Sequence, residues 1–313
     1  MISLRNHAMT IATGVVALAV GVALGSHTLG ADLLADLDAN RDQTRTELVE
    51  AHARADSLQV QVAAADAFIA GSAARVLGGT LADRSVLMFT TPDADPADID
   101  GVNRALTASG ATVTGRIGLT ESFIDTAQSD RMRSTLTNVV PAGAQLRTDA
   151  IDEPSLAGDL LGVTMLLDPT TNQPRATAPE LALVATTLRD GGFLTYADAP
   201  TKQANLAVVV TGAGVASDTD AGVTIARFAA SIRARAMGTV LAGRLGAAEG
   251  NGPIALVRAA APTATTVTTV DNIDHEIGRV TTILALSQPA TQEAGRFGTG
   301  PAATTITLVA APR

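Results

Sequence analysis

The chain has 313 residues and no cysteine, so disulfides, thiolate zinc sites, iron–sulfur clusters and cysteine nucleophiles are excluded. With 22 basic residues against 31 acidic ones the net charge is −9, which leaves no basic surface for nucleic acid. Aromatics make up 2%, too few for the interfacial girdles of an outer-membrane barrel, while 46% hydrophobic content is ample for a packed body of one or two domains.

From Ala8 to Gly30 the chain carries no formal charge. Its most apolar part, Ala8 to Leu24, is near the lower limit for crossing ~30 Å of hydrocarbon at about 1.5 Å per residue. Arg5 precedes the run, and Asp32, Asp36 and Asp38 follow it. The positive-inside bias then predicts a cytoplasmic start and a body on the outer side. A cleaved signal peptide is the alternative, with Ala23-Leu24-Gly25 as a small-x-small cleavage site. The length of the run and the helical pattern that follows it favour an anchor.

Residues 31–70 step by threes and fours through Leu34, Leu37, Arg41, Thr44, Leu48, Ala51, Ala55, Leu58, Val62, Ala65 and Ile69. That is a heptad seam, and neither proline nor glycine interrupts it. Charges of both signs cover the other faces, as suits a helix in solvent. The expectation is a coiled-coil stalk that makes the protein a homo-oligomer. The competing reading is a single amphipathic helix packed on its own globular domain.

Gly71 and Gly78-Gly79 close the stalk. Ser85 to Thr90 then predicts a buried strand, and Asp95 starts a helix over Pro96 to Ser109 with proline in its first turn. Gly110 ends that helix, Ala111 to Leu119 predicts a second strand, and Thr120 opens another helix. Leu156–Leu167 and Pro179–Arg189 read as helices, with a short strand at Phe193–Tyr196. Asn205–Thr211 is the strongest buried strand, followed by a helix at Ala221–Ala236 and a strand at Gly238–Ala242. Segments Ile254–Ala259, Thr265–Val270, Arg279–Ser287 and Thr304–Val309 continue the pattern.

Such alternation predicts an α/β fold: a mostly parallel sheet covered by helices in Rossmann-like layers. Asp168–Pro179, with three prolines, reads as a surface loop or a linker between two halves. The expected organisation is an anchor over 1–30, a stalk over 31–70 and a body over 71–313.

Little in this body points to chemistry. Gly212-Ala-Gly214 follows the strongest strand, but position 217, where a dinucleotide fingerprint wants a third glycine, is serine. Two glycines read best as an ordinary strand-to-helix turn. The acidic run Pro92–Asp100 lacks the glycine and the bidentate glutamate of a calcium loop, and reads as a helix cap. Near the end, His275 stands close to Asp271, Asp274 and Glu276. Mixed nitrogen and oxygen donors can take a divalent ion, yet adjacent residues rarely converge on one ion, so a solvated loop is the stronger reading. The methionines are scattered rather than arranged as a thioether site. No nucleophile elbow, H-E-x-x-H or acid–base carboxylate pair is present, so an enzyme is unsupported.

Several stretches resemble one family. They are the start MISLRNHAMTIATGVVALAVGVALGS, then VLMFTTPDADPADIDGVNRALTASGATVTGRIGLTESFID, PAGAQL, AGDLLGVTMLL, NLAVVVTG, ARFAASI with GTVLAGR, VDNIDHEIGRVTTILAL and RFGTGPA. In this order they are similar to the mycobacterial and actinobacterial copper transport protein family (MctB-like). The resemblance implies a cell-envelope protein of copper efflux and tolerance, described for the family as a channel-forming outer-membrane component, with copper as the transported ion. It carries no ligand or catalytic residue onto this chain. A non-metal scaffolding protein with a dimerising coiled coil is the alternative. A third reading is a ligand-binding or catalytic crevice near Gly212.

Overall fold

The computed structural model describes residues 4–198, 202–214, 220–288 and 293–308, without the side chains of 4–14, 23–40 and Asp42. By compactness the chain forms two units, Met1–Ala65 and Asp66–Arg313.

The first unit is helical from Leu4 onward, as part of helix α1 (Leu4–Leu77). Of the proposed anchor, the side chains of Val15 to Val22 are described and exposed, and those of 8–14 and 23–30 lie outside the described residues. From Gln43 to Ala65 every side chain is exposed. Local pairs support the helix here: Arg54 meets Glu50 at 3.0 Å and Gln43 donates to Glu47 at 2.9 Å. Among the described residues, Gln43–Leu77 is also long and apolar enough to cross a membrane. However, that stretch ends in Leu77, which is fully buried in the core of the second unit.

The second unit begins with the last turns of α1. The helix runs through Gly71, where a side chain would meet open space, and stops at Gly78-Gly79, with Gly79 at φ 74°. Then follow β1 (Ser85–Thr90), α2 (Pro96–Ala108), β2 (Thr112–Leu119), α3 (Glu121–Ile124), α4 (Ser129–Asn138), α5 (Glu153–Met165), α6 (Ala178–Asp190), β3 (Leu194–Thr195), β4 (Leu206–Val210) and α7 (Ala221–Arg235). The chain continues with β5 (Gly238–Ala242), α8 (Pro253–Ala259), α9 (Ala261–Ala264), β6 (Thr268–Val270), α10 (Glu276–Leu286) and β7 (Arg296–Phe297).

Seven strands make one sheet in the order β3-β2-β1-β4-β5-β6-β7. Every pairing is parallel except β2 with β3. The expected α/β class is therefore the observed one, with an antiparallel edge strand where Phe193–Tyr196 was read. Successive residues of β1 face opposite sides, so one strand serves two cores. Leu87 and Phe89 join Ile117, Val209 and Leu241 under α5, α6 and α7. Val86 and Met88 join Val208, Val210 and Val240 on the face that α2 and α10 cover. Ile69, Ala73 and Leu77, from the end of α1, pack into this second core. In the first, Phe228 meets Phe89 and Phe123 edge to face, with ring centres 5.2 and 5.3 Å apart.

The start signal at Asp95 works as expected, accepting from Ala97 N at 2.8 Å, whereas α5 begins at Glu153, ahead of the Leu156 expected, because Asp152 accepts from Ser155 N at 2.9 Å. Helix α4 has no counterpart in the sequence reading, because only Met132 and Leu136 are buried in an otherwise polar segment. Thr304–Val309 gives no strand among the described residues, only a bridge from Phe297 to Thr305. Asp168–Pro179 lies within the second unit. There the Asp168 carboxylate accepts from the Thr170 and Thr171 amides, both at 2.9 Å, which holds it below the usual carboxylate range.

Candidate functional site

The sheet places one edge where a ligand would be sought. The strand order switches sides at β1: β2 lies on one side of it and β4 on the other, both parallel to it. In open parallel sheets, ligands bind outside the carboxyl ends of the strands at such a switch point. The residues there are Thr91 to Asp98 after β1, Thr211 to Gly214 after β4, Arg244 after β5 and Asp271 to Glu276 after β6.

The crevice is filled by the protein itself. The Thr91 hydroxyl donates to the Asp93 carboxylate, and Thr211 Oγ1 approaches the same oxygen at 3.4 Å. A Cβ on Gly212 would collide with the Asp93 carbonyl, and one on Gly214 (φ 101°) would lie 2.9 Å from the Gly246 carbonyl. These glycines let three loops touch, which is the turn reading. Residues 215–219 lie outside the described set.

Around this plug the acids are matched by arginines. Arg244 donates to Asp98 at 2.6 Å and to Asp95 at 2.7 Å. The bond to Asp98 raises the Arg244 pKa above its ordinary value. Arg279 reaches the other Asp98 oxygen at 3.1 Å and pairs with Glu276. Asp98 is almost fully buried, so its two arginines offset the cost of removing a carboxylate from water. The sequence reading saw the capping role of this acidic run and missed Asp98 as the hub. Its partners lie far along the chain, and spacing cannot reveal them.

Of the four candidate metal-ligating residues, Asp271 and Glu276 are each taken by an arginine, while His275 and Asp274 stay side by side. Asp271 is fully buried against Arg258, with Nη1 to Oδ2 at 2.6 Å, and it also accepts from the Thr299 and Gly300 amides. Burial lowers the Arg258 pKa while Asp271 pulls it back up. Glu276 is held by Arg279. His275 Nδ1 lies 2.9 Å from the Asp66 carboxylate of α1, and its Nε2 lies 3.8 Å from Asp274. Asp66 also accepts from the Glu276 amide at 3.0 Å, so a residue of α1 caps α10 from outside. Among the described residues no three His, Cys, Asp or Glu side chains are grouped to hold a metal ion.

Two hollows flank α7. One, of about 340 Å³, has an apolar floor of Val223, Ala226, Ala230 and Leu256 under Arg147 and Arg227. The other, of about 380 Å³, lies among Met132, Asp125, Glu153 and Asp220. Arg227, 3.3 Å from Asp152, borders both. These hollows have no counterpart in the sequence reading, because their walls come from segments distant in the chain.

Comparison with known proteins adds what the geometry does not. A family model described as "Copper transport outer membrane protein, MctB" matches residues 1–308. Proteins named copper transporter MctB from Mycobacterium tuberculosis and Mycobacterium bovis are 38% identical over 312 residues, covering 98% of this chain and 99% of theirs. The protein of that name from Mycobacterium leprae is 39% identical over 315 residues, again covering 98% of this chain and 99% of its own.

Proposed function

The chain belongs to the MctB family of copper transport outer membrane proteins, and on that premise we propose that it is a membrane-anchored envelope protein that lowers cellular copper. The match over nearly the full length of both chains carries this reading. The relatives' names point to a role other than catalysis. A metal-free scaffold finds no support in these relatives.

Membrane contact belongs to α1 in this reading. The sheet is open, with β3 and β7 at its edges. Lipid tolerates helices and closed barrels but not unpaired strand edges. Residues 8–24 therefore anchor the chain, and the positive-inside bias puts the body outside the cytoplasm, in the cell envelope. Residues 31–70 join copies into a homo-oligomer. Copper is cargo rather than a resident group. His275 with Asp274, partly exposed beside Asp66, offers a passing cation mixed nitrogen and oxygen donors, too few to retain it.

Deleting the gene and measuring cellular copper under copper stress tests the proposal. The expected result is raised copper and lowered tolerance, both restored by the full-length chain. Unchanged copper content and tolerance would overturn it.

A further inference from the structure

The stripe Leu48, Ala51, Ala55, Leu58, Val62 and Ala65 follows heptad spacing and is exposed throughout. Leu48 keeps 57% of its surface in solvent, Leu58 60% and Val62 44%. One chain leaves a continuous apolar stripe uncovered, and covering it is the driving force for pairing.

We propose that a second copy of this chain covers the stripe, with the two α1 helices parallel and in register. This rests on the reading that α1 joins copies, and it adds the orientation, the number of strands and the facing residues. Three observations select the arrangement. First, anchoring by residues 8–24 puts both amino termini at one membrane, which only a parallel pair allows. Second, within the exposed stripe the β-branched Val62 takes one core position of the repeat and Leu58 the other; that distribution favours two strands. The alanines at 51, 55 and 65 let two backbones approach closely. Third, the flanking positions are compatible. In a parallel pair each flanking residue faces the one five places later on the partner. Glu47 then faces the partner's His52, and Arg54 the partner's Gln59. Neither is a like-charge pair.

The chain lacks cysteine, so single introduced thiols report contacts without background. Ala51→Cys and Leu58→Cys put identical residues opposite each other at the seam, within the ~7 Å Cα separation that a disulfide spans. Val60→Cys lies on the outward face, where the native valine is 69% exposed. The three full-length variants are oxidised with diamide in native membranes and run on non-reducing gels. Sedimentation of the unsubstituted chain in detergent gives the oligomeric state independently.

The proposal expects a dimer by sedimentation and severalfold more cross-linked dimer from the two seam variants than from Val60→Cys. Cross-linking of Val60→Cys as strong as that of the seam variants overturns the parallel seam and leaves association by α1 standing, whereas a dimer in which none of the three cross-links overturns both. A monomer by sedimentation overturns both.

Discussion

Arg258 is the residue whose loss should be felt most in the body. Its guanidinium is nearly inaccessible and donates to Asp271, Thr269 Oγ1, the Phe297 carbonyl and the Pro301 carbonyl. One side chain thus ties β6, β7 and the loop after it together. The GTGP run fits around the same pair: a Cβ on Gly298 (φ 126°) would collide with the Asp271 carboxylate. Arg258→Met leaves a buried carboxylate without its cation. It should destabilise the protein by about 3–5 kcal/mol, read as a lowered midpoint in urea denaturation. An equally stable variant would show the pair to be dispensable. The exposed Glu50–Arg54 pair has the same chemistry in solvent, where such pairs contribute about 0.3–0.5 kcal/mol. Burial, not residue type, separates the two. In the sequence, Asp271 looks like a ligand because it stands near a histidine. Its partner Arg258 and the amides of Thr299 and Gly300 become visible only when three segments meet.

Helices α5 and α7 show the same limit at the level of elements. Two glycines four residues apart weaken a helix by propensity alone. Here they allow contact: a Cβ on Gly158 would lie 2.8 Å from the Phe228 carbonyl, and one on Gly162 2.6 Å from Arg235 Cβ. The close approach lets Asp159, fully buried on α5, take two bonds from Arg235 of α7. Asp159 also accepts from the Arg147 amide at 2.7 Å. Gly158→Val should push the helices apart and cost about 1–3 kcal/mol, with far-ultraviolet helicity kept and thermal stability lowered. A variant that melts with the wild type would show that this contact can relax freely. Helix α6 was legible because its signals are local. Pro179 stands in its first turn, and Thr177 donates to Glu180 through both N–H and hydroxyl in a capping box. The Glu180 carboxyl is held below its usual range by those bonds.

At the scale of the whole molecule, membrane attachment depends on the uncharged run at the amino end. Deleting residues 8–24 should move the protein from the carbonate-washed membrane pellet to the soluble fraction. Retention in the pellet would transfer the anchor to another segment, with Gln43–Leu77 the first to examine. Charge, hydropathy and heptad spacing are one-dimensional properties. The uncharged run, the long uninterrupted helix, the strand–helix alternation and the α/β class could therefore be read from the chain alone. Strand order, the antiparallel edge strand and the burial of Ile69, Ala73 and Leu77 in the body were decided by folding. The pairing of Asp271 with Arg258, of Glu276 with Arg279 and of His275 with Asp66 was decided the same way. A charged side chain takes the nearest opposite charge in space, and only the packed sheet determines which residue that is.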